Sequence, residues 1–359
     1  MIGKLRILDR KVRILDGFHK MFPDFKCLFI FVSYIALFCA HGLLVTATQN
    51  KATGEGEQPI MTTTYDYNPA TVVLLGELCK LLVSLGLSLA EHSPSDVIDM
   101  LSRNMSLAFK YIVPAILYCI YNNLTFVSLS HYDPATYFIL MQFRVVVTGV
   151  LFQAIFGKCL TRSQWFSLLI LTLGCLVRQA SLGDVTGVVL DTKLVTVAIQ
   201  VFCSCMAGVY NEFLLKSGNL PVSVQNLFFY ADSLLCNLFW LGANGNVFVA
   251  LNFASIQKTW SFYVACIVLN TTCMGLCTSF FLRYLDSIMK NFASGLELIF
   301  TPLLAKAFFG IPISYSIVLS VMLILIAIYL YSRNPVKNKV RCVSETVLDE
   351  IKSDVSHDK

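Results

Sequence analysis

Seven ionisable side chains stand inside long apolar runs: Glu77, Lys80, Arg144, Glu212, Asp232, Lys290 and Glu297. A charge at the centre of a bilayer costs roughly 2.5 to 3.5 kcal/mol on insertion scales, so each needs a partner or a watery cavity. Glu77 and Lys80 lie three apart on one helix face and can satisfy each other. Glu212 precedes Lys216 by four in YNEFLLKSGN and can do the same near a helix end. Arg144, in TYFILMQFRVVVTGVLF, has no acid one turn away on either side. Its partner comes from elsewhere: an acid on another helix such as Glu77, or an anionic ligand that a planar guanidinium can grip with two hydrogen bonds. Lys290, in LDSIMKNFASG, has Asp286 four residues earlier as its local competitor. Two cations from different helices facing one cavity would suit a diphosphate, or a phosphate beside a sugar acid. Asp232 and Glu297 read as counter-charges to cations on other helices.

Amides and phenols surround these charges along the chain: Tyr118, Tyr121, Asn122 and Asn123, then Tyr137 and Gln142, then Gln225 and Asn226. An amide can read a base edge, and a tyrosine can stack on the base or bond a ribose hydroxyl. Each alone could equally tie helices together. Asn122 and Asn123 point about 100° apart on a helix, so at most one can line a given cavity well. The 13 cysteines lie almost entirely in apolar segments, with no paired loop spacing and no Cys/His cluster at zinc spacing. There is no P-loop, nucleophile elbow, zinc signature or dinucleotide fingerprint. With no assembled nucleophile, carboxylate pair or metal set, an enzyme is not expected, nor a cofactor, nor a nucleic-acid partner.

The elements that must position these residues are helices in lipid. Of 359 residues, 56% are hydrophobic and only 14% charged, and the mean hydropathy is +0.69. A soluble domain of this length has too little interior for so much apolar surface. The apolar residues come in blocks of about twenty that do not alternate as barrel strands do. Ten spans are expected, near Cys27–Thr46, Ala70–Ala90, Phe109–Leu129, Thr136–Phe156, Trp165–Leu182, Leu194–Leu215, Val224–Leu241, Phe262–Leu282, Ser287–Phe309 and Ser314–Tyr331. An even count puts both termini on one side, and the basic arm 1–26, with Lys4, Arg6, Arg10, Lys11, Arg13, Lys20 and Lys26, makes that side cytosolic. Arg103, Lys158, Arg162, Lys216 and Arg283 fall on the same side. The expected organisation is the arm, a first five-helix half over 27–182, a second over 183–332 and a flexible cytosolic tail over 333–359. Five helices per half is odd, so the halves point oppositely through the bilayer, as in inverted repeats.

Motifs along the membrane portion carry a family likeness. GELCKLL in the second span, YNNLTFVSLSHYDPATY running into MQFR, VYNEFLLK, VSVQN and YLDSIMKNFASG together resemble the nucleotide-sugar transporters of the branch carrying CMP-sialic acid, UDP-galactose and UDP-N-acetylglucosamine. The resemblance implies an all-α integral membrane protein of the drug/metabolite-transporter type, in the Golgi or endoplasmic reticulum membrane. It implies exchange of a cytosolic nucleotide sugar, UDP-galactose as first choice and CMP-sialic acid as the alternative, for a lumenal nucleoside monophosphate by alternating access. By motif position Tyr118, Asn122, Tyr137 and Gln142 would face the nucleotide, Asn226 would lie nearby, and Lys290 would meet phosphate or sugar; Arg144 joins them as a substrate-binding candidate on its own isolation from acids, and Glu77, Lys80, Tyr121 and Glu212 are further candidates. The branch usually reads Gln-Leu-Lys where this chain reads Gln142-Phe143-Arg144, which keeps the charge and changes its reach. A receptor or scaffold without transport is the reading from another class, and the oligomeric state, a homo-oligomer included, stays open.

Overall fold

A computed structural model describes residues 22, 24–48, 69–132, 134–180, 192–245, 252, 257, 261–309, 315–332 and 337–338. The basic arm up to Lys20, the 49–68 loop with Lys51, Lys258, and the tail beyond 338 fall outside them. The helices are α1 Phe25–Thr48, α2 Pro69–Glu91, α3 Pro94–Arg103, α4 Met105–His131, α5 Pro134–Met141, α6 Arg144–Phe156, α7 Arg162–Ala180, α8 Thr192–Ser217, α9 Val222–Ala243, α10 Phe262–Tyr284, α11 Ser287–Phe309 and α12 Ser316–Ser332. Among the described residues six stretches are long and apolar enough to cross a bilayer: Phe25–Leu44, Ala70–Glu91, Met105–Thr125, Thr136–Phe156, Leu194–Ser217 and Phe262–Tyr284. Large apolar side chains point outward, with Phe239 79% and Phe262 77% exposed. That pattern is costly in water and neutral in lipid, as befits a multi-pass membrane protein.

Three local features depart from the sequence expectations. The expected single span Thr136–Phe156 is interrupted, because Gln142, Phe143 and Val145 donate their N–H groups to carbonyls only three residues back, on Ile139, Leu140 and Gln142. This tight turn divides α5 from α6 and puts Arg144 at the head of α6. Gln142 also turns its Nε2 back onto the Phe138 carbonyl at 3.3 Å. The connection holding Arg103 is itself a short amphipathic helix, α3, opened by Pro94 and by Ser93, whose Oγ accepts from the Asp96 N–H. Finally, Lys158–Cys159 (β1) pairs antiparallel with Lys337–Asn338 (β2), so the start of the tail is clasped to the α6–α7 connection.

The principal helix pairs are α7 with α12, α4 with α8 and α9, α1 with α10 and α11, α2 with α9 and α10, α6 with α7 and α8, and α11 with α12. With no hydrophobic force between helices in lipid, packing depends on close approach at small residues. A Cβ on Gly174 of α7 would sit 3.1 Å from both Leu323 and Ile324 of α12, and one on Gly149 of α6 would sit 3.0 Å from Leu168 of α7. Around these contacts Phe152, Phe281, Ile288 and Phe292 are fully buried. Gly174→Leu therefore overpacks the α7–α12 seam at a cost of about 1–3 kcal/mol. A drop of several degrees in the melting temperature of the detergent-solubilised protein is expected, whereas Gly86→Leu, whose Cβ meets nothing within 4 Å, should leave it unchanged. Equal effects of the two would refute this seam.

Candidate functional site

A cavity of about 250 Å³ lies among α1, α2, α4, α8, α9, α10 and α11. Its walls mix amides, hydroxyls and charges with a few aromatic rings, the lining expected where a polar solute rests within a bundle. Of the residues singled out in the sequence, Glu77, Lys80, Tyr118, Asn122 and Lys290 line it.

Glu77 and Lys80 form an ion pair at 2.5 Å along one face of α2. The Lys80 ammonium also sits 5.3 Å from the centre of the Tyr230 ring. Its stem rests against Gly275, where any side chain would collide with Lys80 Cδ. The pair thus enters the wall as a neutral dipole with one edge turned to the cavity. Lys290 is arranged differently. Its competitor Asp286 is used elsewhere, accepting from the Met289 N–H at 2.7 Å to cap the first turn of α11. Among the described residues no acceptor lies within hydrogen-bond distance of the Lys290 ammonium.

Arg144 lies within electrostatic reach of Lys290 and, on its other sides, of Tyr121, Tyr34 and Glu297. Its Nε is buried without a hydrogen-bond partner, and among the described residues no acid forms an ion pair with its guanidinium. Glu77, its sequence-stated alternative, is committed to Lys80. Arg144 itself does not line the cavity, but it lies close enough to Lys290, which does, for the two positive charges to repel.

The remaining candidates lie away from the cavity lining. Tyr137 accepts from Gln200 Nε2 at 2.8 Å; the same amide reaches Thr125 Oγ1 at 2.7 Å, and its Oε1 accepts from Ser128 at 2.9 Å. Gln142 bonds within its own turn. Asn226 is buried on α9 away from the cavity. Asn123 donates to the Cys119 carbonyl one turn back. Gln225 accepts from Tyr111 and donates to the Leu220 carbonyl. Glu212 accepts from Lys216 at 2.7 Å and from both the N–H and hydroxyl of Ser287, at 2.8 and 2.6 Å. Lys216 also donates to the Leu285 carbonyl, and Arg283 to those of Leu215 and Gly218. These bonds bind the end of α8 to the α10–α11 connection.

Sequence reasoning passed over Asn211, Tyr230, Ser233, Asn237 and Ser279, all of which line the cavity. Their signal was present but weak: single uncharged polar groups in apolar helices, which tie helices as often as they meet ligands.

Comparison with known proteins follows the membrane portion closely. The nucleotide-sugar transporter family model matches residues 59–332. The UDP-galactose transporter senju of Drosophila melanogaster is 38% identical, over 91% of this chain and 92% of its own length. CMP-sialic acid transporter 1 of Oryza sativa subsp. japonica is 26% identical over 74% of this chain and 85% of its own. CMP-sialic acid transporter 3 of Arabidopsis thaliana is 30% identical over 74% and 68% respectively. A solved crystal structure 13% identical in sequence superposes with a TM-score of 0.58, covering 85% of this chain and 95% of that one, a likeness of fold alone.

The contrast between Glu212 and Lys290 can be measured as stability. Glu212→Ala strands Lys216 and the Ser287 donors, a loss of about 3–5 kcal/mol. It should lower the melting temperature by roughly ten degrees. Lys290→Ala removes a like charge beside Arg144 and should leave the melting temperature unchanged or raised. A large drop for Lys290→Ala would mean that the lysine is a structural tie.

Proposed function

This chain belongs to the nucleotide-sugar transporter family and transports nucleotide sugars, and from that premise we propose that it exchanges cytosolic UDP-galactose for lumenal UMP across the Golgi membrane. The observation that carries the site is a polar cavity lined by Lys290, with the like charge of Arg144 within electrostatic reach of it. In a low-dielectric interior the two repel, and a diphosphate relieves both at once. Arg144 takes the diphosphate with its fork and Lys290 takes the remaining oxygens. Tyr118 and Asn122 face the nucleoside, the ring stacking on the base and the amide meeting its edge. The Glu77–Lys80 pair, Tyr230 and Ser279 offer the acceptors and donors that sugar hydroxyls need. UDP-galactose is favoured over CMP-sialic acid because the 38%-identical relative carries that name.

Ten helices cross the membrane in two inverted halves, 27–182 and 183–332, with both termini cytosolic. The helix pairing supports this reading. Taking α5 and α6 as one span, advancing every span by five turns α4–α8 into α1–α10, α4–α9 into α2–α10, α6–α8 into α1–α11 and α6–α7 into α11–α12. The pairs α2–α9 and α7–α12 map onto themselves. Arg144 and Lys290 then occupy matching spans, the fourth and the ninth.

The ties across the halves support alternating access. Gln200 joins α8 to α4 and α5 at the lumenal end, and Tyr111–Gln225 joins α4 to α9 at the cytosolic end. Releasing one set while the other holds opens the cavity to one side at a time. The bonds from Glu212, Lys216 and Arg283 lie within the second half, so they keep it rigid as it rocks. At about 250 Å³, the cavity is smaller than the ~300–1,000 Å³ usual for small-ligand sites.

Two experiments test this reading. In proteoliposomes preloaded with UMP, wild-type protein should take up UDP-galactose. Arg144→Ala and Lys290→Ala should each lose at least tenfold of that uptake, and Arg144→Lys should retain part of it. UMP should also raise the melting temperature of the wild type more than CMP, GMP or AMP. A preference for CMP would turn the assignment to CMP-sialic acid, and indifference to all four would overturn the site. For topology, a sequon engineered into the 49–68 loop should be glycosylated in microsomes and one placed after residue 340 should not. A glycan on the tail would overturn the even count.

A further inference from the structure

Among the described residues, Glu297 is the half-buried acid within electrostatic reach of Arg144 that local pairing has not consumed. Glu77 is held by Lys80 and Glu212 by Lys216, whereas Glu297 forms no ion pair within 4 Å among the described residues. It follows Lys290 by seven residues on α11, two turns less about 20°, so both project from nearly the same face. The Glu297 backbone is fixed by α1, where Cys39 Sγ donates to its carbonyl at 4.0 Å. Tyr34, also on α1, stands within electrostatic reach of both Glu297 and Arg144. Arg144 heads α6, which packs on α11, and its Nε lacks any hydrogen-bond partner. The guanidinium therefore lies between a cation one way along α11 and an acid the other way, near both and bonded to neither.

We propose that Glu297 is the internal counter-ion of the empty site, steadying Arg144 while no anion is bound and giving it up to the phosphate when the solute arrives. Proximity without a locked bond is what such a role requires. A tight pair at the distance of Glu77–Lys80 would withhold the guanidinium from ligand. With no acid at all, the two cations would cling to any anion they captured. Glu297 thereby sets affinity by competition: the solute must outbid a carboxylate already present, and the carboxylate returning to Arg144 favours release. Its action passes through Arg144, so it is a positioning residue.

The inference rests on the reading that Arg144 meets the anion, and the test separates the two. UMP is the probe, with its Kd measured on the full-length purified protein and exchange measured in proteoliposomes. Glu297→Gln should lower Kd for UMP by about tenfold, within the range of typical coupling between sites, while lowering the exchange rate at saturation. Glu297→Asp should move both values back toward the wild type. In an Arg144→Gln background, Glu297→Gln should change UMP affinity no further. Should Glu297→Gln fold poorly, Glu297→Leu, matching its neighbours Leu296 and Leu298, removes the same charge. Weaker or unaltered UMP binding in a folded Glu297→Gln, or an equal effect with Arg144 absent, would overturn the counter-ion role. Wild-type UMP affinity in Arg144→Gln alone would instead overturn the site itself, without any change at Glu297.

Discussion

A charge in hydrocarbon must be answered from within the protein, and the way each buried charge is answered organises this molecule. Two acids are neutralised by a lysine on their own helix, three or four residues away, so those spans enter lipid already balanced. Asp286 is spent on a helix cap. Among the described residues, Asp232 on α9 and the set Arg144, Lys290 and Glu297 on α6 and α11 form no ion pair. The helices, glycine seams and amide ties hold that set within the bundle, where charges interact more strongly than in bulk water.

The division between tied and available polar groups also explains why the ends of the bundle differ from its middle. Near the ends, Gln200, Gln225 and Glu212 each make several hydrogen bonds, at least one of them to another helix. Towards the centre, Asn122 and Lys290 turn to the cavity, and Tyr230 and Ser279 meet one another only at 3.4 Å. Polar groups satisfied by protein make hinges and seals, while those left partly satisfied are open to solute.

Much of this was legible in the sequence because membrane insertion leaves strong signals. The apolar blocks marked the helices to within a few residues, and the i,i+3 and i,i+4 spacings anticipated the Glu77–Lys80 and Glu212–Lys216 pairs. The isolation of Arg144 from nearby acids was visible as well. The position of Tyr137 against Gln200 was not, since a phenol looks the same whether it meets a ligand or another helix, and its partner lies 63 residues away in sequence. The turn at Gln142–Phe143 hid more. Each i→i+3 step winds the chain about 20° further than an α-helical one, so a helical wheel drawn through the whole block misplaces everything after it, Arg144 included. Glu297 was assigned as a counter-charge, but only the packing of α11 on α6 says to which cation.

The charge inventory of the cavity bears on energetics beyond the protein. A UDP-sugar carries two negative charges on its diphosphate, and a nucleoside monophosphate carries close to two at neutral pH, its phosphate losing the second proton near pH 6. For the proposed exchange, Arg144 and Lys290 are therefore matched to either occupant, and the loaded protein presents nearly the same net charge on both journeys. Such a cycle is electroneutral: it draws its direction from the concentration gradients of the two solutes and takes little from any voltage across the membrane.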